Sequence, residues 1–126
     1  MGSVSLKPVV LVVEDEDDAR EMLKDLLELR GYRVQTAADG QQALDIIDTA
    51  DRICVVLLDL FMPNVDGWKV YESLQTRGKL DSLNVVITTS APHRAPAGAN
   101  VMVKPLDLPK LFDVLNASRC LVQGPP

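Results

Sequence analysis

The sequence has few residues of the kinds that hold transition metals or build disulfide frameworks. Its 126 residues include one histidine and two cysteines, Cys54 and Cys120. Neither cysteine lies in a CxxC or a cysteine/histidine spacing, so the chain offers no zinc-type ligand set. We expect two reduced thiols, as in a cytosolic protein.

The chain also lacks an excess of basic residues and any long hydrophobic run. Its formal net charge is −5, which argues against a nucleic-acid-binding surface. No apolar run reaches membrane-spanning length, and the N-terminus has one lysine and no long apolar region. We therefore expect a cytoplasmic protein with no signal peptide, no membrane contact and no direct nucleic-acid partner.

Aliphatic runs alternate along the chain with stretches of helical spacing. The runs predict five strands, and apolar residues three and four positions apart predict helices after the first, second, third and fifth of them. The predicted strands cover residues 9–13, 32–36, 54–60, 85–89 and 101–103. Alternation of this kind predicts a parallel sheet covered on both faces, a doubly wound α/β fold, in one domain over the whole chain, 1–126.

Polar residues follow four of the predicted strands at their carboxyl ends. Glu14 and Asp15 follow the first strand, Asp59 lies near the end of the third, Ser90 follows the fourth and Lys104 follows the fifth. In an open parallel sheet, ligands bind in the crevice outside these ends. We therefore expect the five side chains to share one site.

Three carboxylates that share one crevice repel one another. At about 4 Å and an effective dielectric near 20, each ionised pair costs roughly 4 kcal/mol. A cation is therefore needed among Glu14, Asp15 and Asp59, and oxygen ligands without histidine or cysteine favour Mg²⁺. With the Lys104 ammonium and the Ser90 hydroxyl beside it, such a site is suited to receiving a phosphoryl group on a carboxylate.

Four motifs at these positions resemble those of the receiver domains of two-component response regulators. They are VLVVEDE at 10–16, LLDLFMPNVDG at 57–67, TTSA at 88–91 and VKPLD at 103–107. The resemblance covers a core from about residue 9 to 121. It implies a flavodoxin-like five-stranded parallel sheet in the order 2-1-3-4-5.

The resemblance also implies a role for each site residue and a set of partners. Asp59 would be the phosphoacceptor, Ser90 the switch hydroxyl and Lys104 the lysine that pairs with the phosphate. Mg²⁺ would be held by Glu14, Asp15, Asp59 and the backbone carbonyl of Phe61. The phosphodonor would be a histidine kinase or a histidine phosphotransfer protein, and the output would be a contact with a downstream protein target. Such a chain is a signalling switch that catalyses its own phosphoryl acceptance, and not an enzyme with a separate substrate.

The connection between the fourth and fifth strands departs from the family pattern. The family usually places a helix there, whereas this chain has only residues 91–100, which include Pro92, Pro96 and Gly98. Because proline and glycine disfavour a regular helix, we predict that this helix is missing or reduced to a turn. The family's usual output surface uses that helix, so we expect the output mode of this chain to differ.

Three further residues bear on signalling and on the lifetime of an aspartyl phosphate. Val101 stands three residues before Lys104, where receivers often carry an aromatic side chain that moves with the switch hydroxyl. We therefore expect a signal to travel through the loop at 91–100. The resemblance implies that Phe61 and Pro92 lie at the positions that flank the family's phosphoryl site and influence attack by water. Neither side chain can orient a water molecule, so we expect slow autodephosphorylation.

Two other functions compete with the phosphoacceptor interpretation. A phosphorylation-independent, receiver-like interaction module is favoured by the shortened connection and by Val101, but it is disfavoured by the complete set of site residues. A haloacid-dehalogenase-like phosphatase also uses an aspartate at a strand end. Such phosphatases usually have a second aspartate two residues later, where this chain has Phe61, and we expect no cap domain in so short a chain.

Overall fold

A five-stranded parallel sheet forms the centre of the molecule. The computed structural model describes residues 8–50, 52–62 and 65–118. The strands are β1 (Val9–Val13), β2 (Arg33–Ala37), β3 (Ile53–Asp59), β4 (Asn84–Thr89) and β5 (Asn100–Val103). Their order is β2-β1-β3-β4-β5, and every neighbouring pair is parallel. The predicted flavodoxin-like order 2-1-3-4-5 is confirmed.

Four α-helices, counted over the described residues, cover both faces of this sheet. They are α1 (Asp17–Leu29), α2 (Gly40–Thr49), α3 (Gly67–Thr76) and α4 (Leu108–Ala117). Val55 and Leu57 of β3 pack with α1 and α4, whereas Val56 and Leu58 pack with α2 and α3. Successive side chains of a strand point to opposite faces, so β3 is buried on both sides, as its unbroken apolar run predicts. None of the described helices is long and apolar enough to cross a membrane.

Three of the helices begin at an aspartate near the carboxyl edge of the sheet. The carboxylates of Asp39, Asp66 and Asp107 each accept a hydrogen bond from the backbone N–H three residues further on, at 2.8 to 3.2 Å. Such a cap is worth about 1 kcal/mol, because it satisfies an N–H that the helix itself leaves unpaired. The capping side chains therefore fix where the loops at this edge end.

The β4–β5 connection, residues 90–99, contains no α-helix. Its regular structure is a single 3₁₀ turn, Pro92–Arg94. Proline favours the first turn of a helix but cannot continue one, and Gly98 has a φ of 80°, in the left-handed region that glycine tolerates. The prediction that this helix is missing or reduced to a turn is confirmed.

The cysteines differ from what the sequence led us to expect. Cys54 is buried near the start of β3 and is disulfide-bonded. Cys120 lies outside the described residues. The expectation of two reduced thiols is therefore wrong for Cys54, and the cysteines give no argument for a reducing compartment.

Candidate functional site

The carboxyl ends of β1, β3, β4 and β5 bring the predicted site residues together. Asp59 is the last residue of β3 and is 6% exposed, while Glu14, directly after β1, is 5% exposed. A cavity of about 560 Å³ opens above them. Its lining includes Glu14, Asp15, Asp59, Phe61, Ser90 and Lys104. All six residues that were predicted to form the site therefore line one cavity.

The Lys104 ammonium lies between the two buried carboxylates. Its Nζ atom is 2.8 Å from Oε1 of Glu14 and 3.3 Å from Oδ1 of Asp59. The backbone N–H of Lys104 donates to the carbonyl of Thr89 at 2.9 Å, which holds the lysine against the end of β4. The peptide bond between Lys104 and Pro105 is cis. One cation therefore serves two carboxylates, and the cluster keeps an excess of negative charge.

The pKa of Asp59 responds strongly to this environment. Burial raises the pKa of Asp59 to about 7, and the negative charge of Glu14 adds to the rise. The charge of Lys104 opposes the rise without cancelling it. Asp59 is therefore only partly ionised near neutral pH unless a further cation joins the site.

The same environment favours the charged forms of Glu14 and Lys104, which form an ion pair. Burial by itself would raise the pKa of Glu14, but the hydrogen bonds from Lys104 and from the backbone N–H of Glu16 lower it overall. Burial likewise opposes the charge of Lys104, yet its hydrogen bond to Glu14 and the charges of Asp59 and Glu14 raise its pKa. Glu14 and Lys104 thus stay charged, whereas the ionisation of Asp59 depends on whether a further cation binds in the site.

The donor set fits a hard divalent cation. Carboxylate oxygens of Glu14, Asp15 and Asp59 all lie within 4.8 Å of one another. Asp15 is exposed while the other two acids are buried, so solvent reaches the cluster from one side. Mg²⁺ commonly binds one or two carboxylates and keeps several water ligands, an arrangement that this half-open cluster permits. A cation there would also offset the repulsion that raises the pKa of Asp59.

Arg20 of α1 anchors the loop that carries the acidic pair. Its Nη1 donates to the backbone carbonyl of Glu14 at 2.9 Å and lies 3.5 Å from that of Asp15, while its Nη2 pairs with Asp17. The side chain of Arg20 is only 15% exposed. The sequence gives little signal for this role, because a run of acids followed by an arginine is also typical of an ordinary helix start.

Gly67 allows α3 to begin directly against the end of β3. Its N–H donates to the carbonyl of Leu60 at 2.9 Å. A Cβ atom at this position would collide with the carbonyl oxygen of Asp59 and would lie 2.7 Å from Cα of Leu60. Glycine therefore permits the close approach that holds the backbone of Asp59 in place. The Asp-Gly pair at 66–67 signals a turn in the sequence, but it does not reveal this contact.

The turn after β4 is shaped by Thr89. Its Oγ1 accepts a hydrogen bond from the backbone N–H of Ala91 at 3.0 Å, so the chain turns immediately after Ser90. Ser90 is exposed and lines the cavity. Val101, at the position of the expected aromatic, packs against the apolar cluster on the α2 and α3 side. Because this residue is a valine, position 101 has no aromatic ring that could move together with the switch hydroxyl.

The fold and the site define a known class of protein. A family model described as the response regulator receiver domain matches residues 10–116. The chain belongs to this family. Receiver domains are signalling switches of two-component systems rather than classical enzymes, and they bind Mg²⁺ at an acidic site of this kind.

Curated and structural relatives agree with this assignment. Response regulator MprA of Mycolicibacterium vanbaalenii is 41% identical over 81 residues, which cover 64% of this chain and 34% of MprA, so the chain spans about a third of the length of this curated relative. The receiver domain from hybrid histidine kinase CckA is 32% identical with a TM-score of 0.72, over 90% of this chain and 98% of that one. Response regulator protein TrrA from Thermotoga maritima, solved in complex with Mg²⁺-BeF, is 28% identical with a TM-score of 0.77, over 86% of this chain and 96% of that one.

Proposed function

We propose that this receiver domain accepts a phosphoryl group on Asp59 from a histidine kinase or a histidine phosphotransfer protein. The observation that carries the proposal is the buried Asp59 carboxylate at 3.3 Å from the Lys104 ammonium, within a cavity that Ser90, Glu14 and Asp15 also line. In the proposed step an Asp59 oxygen bonds to phosphorus, the bond from phosphorus to the donor histidine nitrogen breaks, and that nitrogen keeps the electron pair.

The surrounding residues would each assist this transfer. Mg²⁺, held by the carboxylates of Glu14, Asp15 and Asp59 and by the backbone carbonyl of Phe61, would neutralise charge on the transferring phosphoryl group. Lys104 would pair with one phosphoryl oxygen, and the Ser90 hydroxyl would donate a hydrogen bond to another. Glu14 keeps Lys104 charged and in position, since their oxygen and nitrogen atoms lie 2.8 Å apart.

The proposed output is a conformational change that a downstream protein target recognises. The β4–β5 connection, with its single 3₁₀ turn, replaces the helix that the family usually presents. The target would therefore bind a surface formed by this shorter connection. The excess of acidic residues disfavours direct contact with nucleic acid. The proposed cytoplasmic location follows from the proposed phosphodonor.

The proposal is tested by titrating the wild type and Asp59→Asn with Mg²⁺ and then with beryllofluoride, a phosphoryl mimic. Trp68 is a suitable fluorescent reporter, because it lies in the first turn of α3, which begins against Asp59 and Leu60. We expect saturable Mg²⁺ binding and a beryllofluoride response in the wild type, and loss of that response in Asp59→Asn. Amide NMR signals of the same samples cover the case in which Trp68 is silent.

The alternative, a phosphorylation-independent interaction module, predicts a different outcome of this experiment. If the wild type binds neither Mg²⁺ nor beryllofluoride by either readout, the phosphoacceptor proposal is wrong and the alternative replaces it. If Asp59→Asn responds to beryllofluoride as the wild type does, the mimic binds elsewhere and Asp59 is not the acceptor.

The lifetime of the aspartyl phosphate gives a separate prediction. Phe61 is 45% exposed beside the cavity, and its ring cannot hydrogen-bond a water molecule. We therefore expect slow autodephosphorylation in the wild type and a several-fold shorter lifetime in Phe61→Asn, whose amide can orient a hydrolytic water. The measurement is decay of the phosphorylated protein after removal of a small-molecule phosphodonor. Phe61→Leu is the matched control, and a lifetime in Phe61→Asn equal to that of Phe61→Leu would contradict the prediction.

A further inference from the structure

Arg94 is a cation that contacts a residue of the site, Phe61, and takes no part in the proposed phosphoryl transfer. It is the last residue of the 3₁₀ turn and is exposed. Its Cζ atom lies 5.4 Å from the centre of the Phe61 ring. Phe61 also lines the cavity that contains Asp59 and Ser90. The guanidinium group therefore lies over an aromatic ring that itself lines the acidic cavity, although Arg94 is not one of the residues that line it.

Arg94 has no carboxylate partner among the described residues. The sequence contains no aspartate or glutamate from residue 82 to 106, and the ion pairs of the described chain do not include Arg94. Arg20 and Arg77, by contrast, each pair with an aspartate. A cation that has no carboxylate partner in the described part of the chain and lies over a ring that lines the acidic cavity is available for a new anion in that cavity.

Phosphorylation would supply such an anion. A phosphoryl group brings about −1.5 to −2 charges and three strong acceptor oxygens. The Lys104 ammonium is already shared between Glu14 and Asp59, at 2.8 and 3.3 Å, so it neutralises this group only in part. Arginine binds phosphate through two parallel N–H donors, an interaction much stronger than an exposed contact with a ring.

We propose that Arg94 leaves the Phe61 ring and pairs with the phosphoryl group when Asp59 is phosphorylated. This inference rests on the proposed function and adds a phosphoryl-binding residue to it. Arg94 belongs to the 3₁₀ turn, so its movement carries the β4–β5 connection toward the site. The β4–β5 connection thereby responds to phosphorylation even though position 101 is a valine and not an aromatic residue. Arg94 couples the charge on Asp59 to the surface that replaces the family's usual helix.

The test is a beryllofluoride titration in saturating Mg²⁺, followed by amide NMR, of the wild type, Arg94→Met, Arg94→Lys and His93→Gln. His93 is the matched control, because it is an exposed basic residue of the same turn. Arg94→Met should bind beryllofluoride about 3- to 10-fold more weakly, as expected for one partly exposed charge-assisted contact. In Arg94→Met, the amide signals of His93 and Ala95 should no longer shift when beryllofluoride binds, whereas that of Leu60 should still shift.

The remaining variants and the salt dependence separate the possible outcomes. Arg94→Lys should recover part of the affinity, His93→Gln should match the wild type, and the loss in Arg94→Met should shrink as salt is added. Equal affinity and equal loop shifts in Arg94→Met, or an equal loss in His93→Gln, would overturn the assignment of Arg94 while leaving the proposed function intact. Failure of the wild type to bind beryllofluoride would overturn both. Thermal unfolding of each variant confirms that it is folded.

Discussion

Asp59→Asn is expected to raise the free energy of unfolding at pH 8, in metal-free buffer, by on the order of 1 to 3 kcal/mol. The cause is the pKa of Asp59, which burial and the charge of Glu14 raise from 3.8 to about 7 in the folded protein. Between these two values the unfolded chain binds fewer protons at this carboxyl group than the folded chain does. The stability of the wild type should therefore fall as the pH rises through this range, whereas the asparagine variant escapes this loss.

Urea unfolding of both proteins at several pH values between 4 and 9 measures the difference in unfolding free energy between Asp59→Asn and the wild type. It should be small near pH 4, grow up to about pH 7 and remain constant above it. Asp25→Asn, an exposed acid of α1, is the control, and its effect should stay within about 0.5 kcal/mol. Millimolar Mg²⁺ should reduce this difference in unfolding free energy, because it should bind the wild type more tightly than Asp59→Asn and so stabilise the wild type more. A gap that does not change with pH would show that ionisation of Asp59 is not its cause.

The sequence sufficed to predict the fold and to predict which side chains line the cavity at the carboxyl edge of the sheet. In a parallel sheet, the residues that end the strands must meet at one edge, so Asp59, Ser90 and Lys104 could be placed together without coordinates. The missing helix was equally predictable, because Pro92 and Gly98 act on the local backbone. The roles of these residues, and the single domain expected over 1–126, stay predictions.

Features that depend on side-chain placement could not be predicted in this way. Arg20 reaches two backbone carbonyls, and Arg94 lies over Phe61, through contacts that no spacing rule encodes. The raised pKa of Asp59 likewise requires the depth of burial and the distance to Lys104. The disulfide at Cys54 contradicts the expectation from spacing, because a CxxC pattern is only one way for a cysteine to find a partner.

Lys104→Met is expected to change the affinities for Mg²⁺ and for the phosphoryl mimic in opposite directions. Without the ammonium, Glu14 loses its 2.8 Å partner and Asp59 its 3.3 Å partner, so two buried carboxylates face each other with less compensation. In metal-free buffer at pH 8 the variant should lose about 1 to 3 kcal/mol of unfolding free energy. A divalent cation then relieves more repulsion than in the wild type, so Mg²⁺ should bind about tenfold more tightly.

Beryllofluoride should bind this variant more weakly, even with Mg²⁺ saturating, because the mimic loses a direct charge partner. Mg²⁺ titrations by calorimetry, followed by beryllofluoride titrations of the Mg²⁺-loaded proteins, measure both effects. Lys69→Met, at an exposed lysine of α3, is the matched control and should change neither affinity. If Lys104→Met weakens both ligands together, the lysine acts mainly by holding the loop after β5 in place. Opposite changes in the two affinities would show instead that the charge of Lys104 competes with Mg²⁺ and attracts the phosphoryl group. A switch that is activated by the addition of one anion is expected to have both properties.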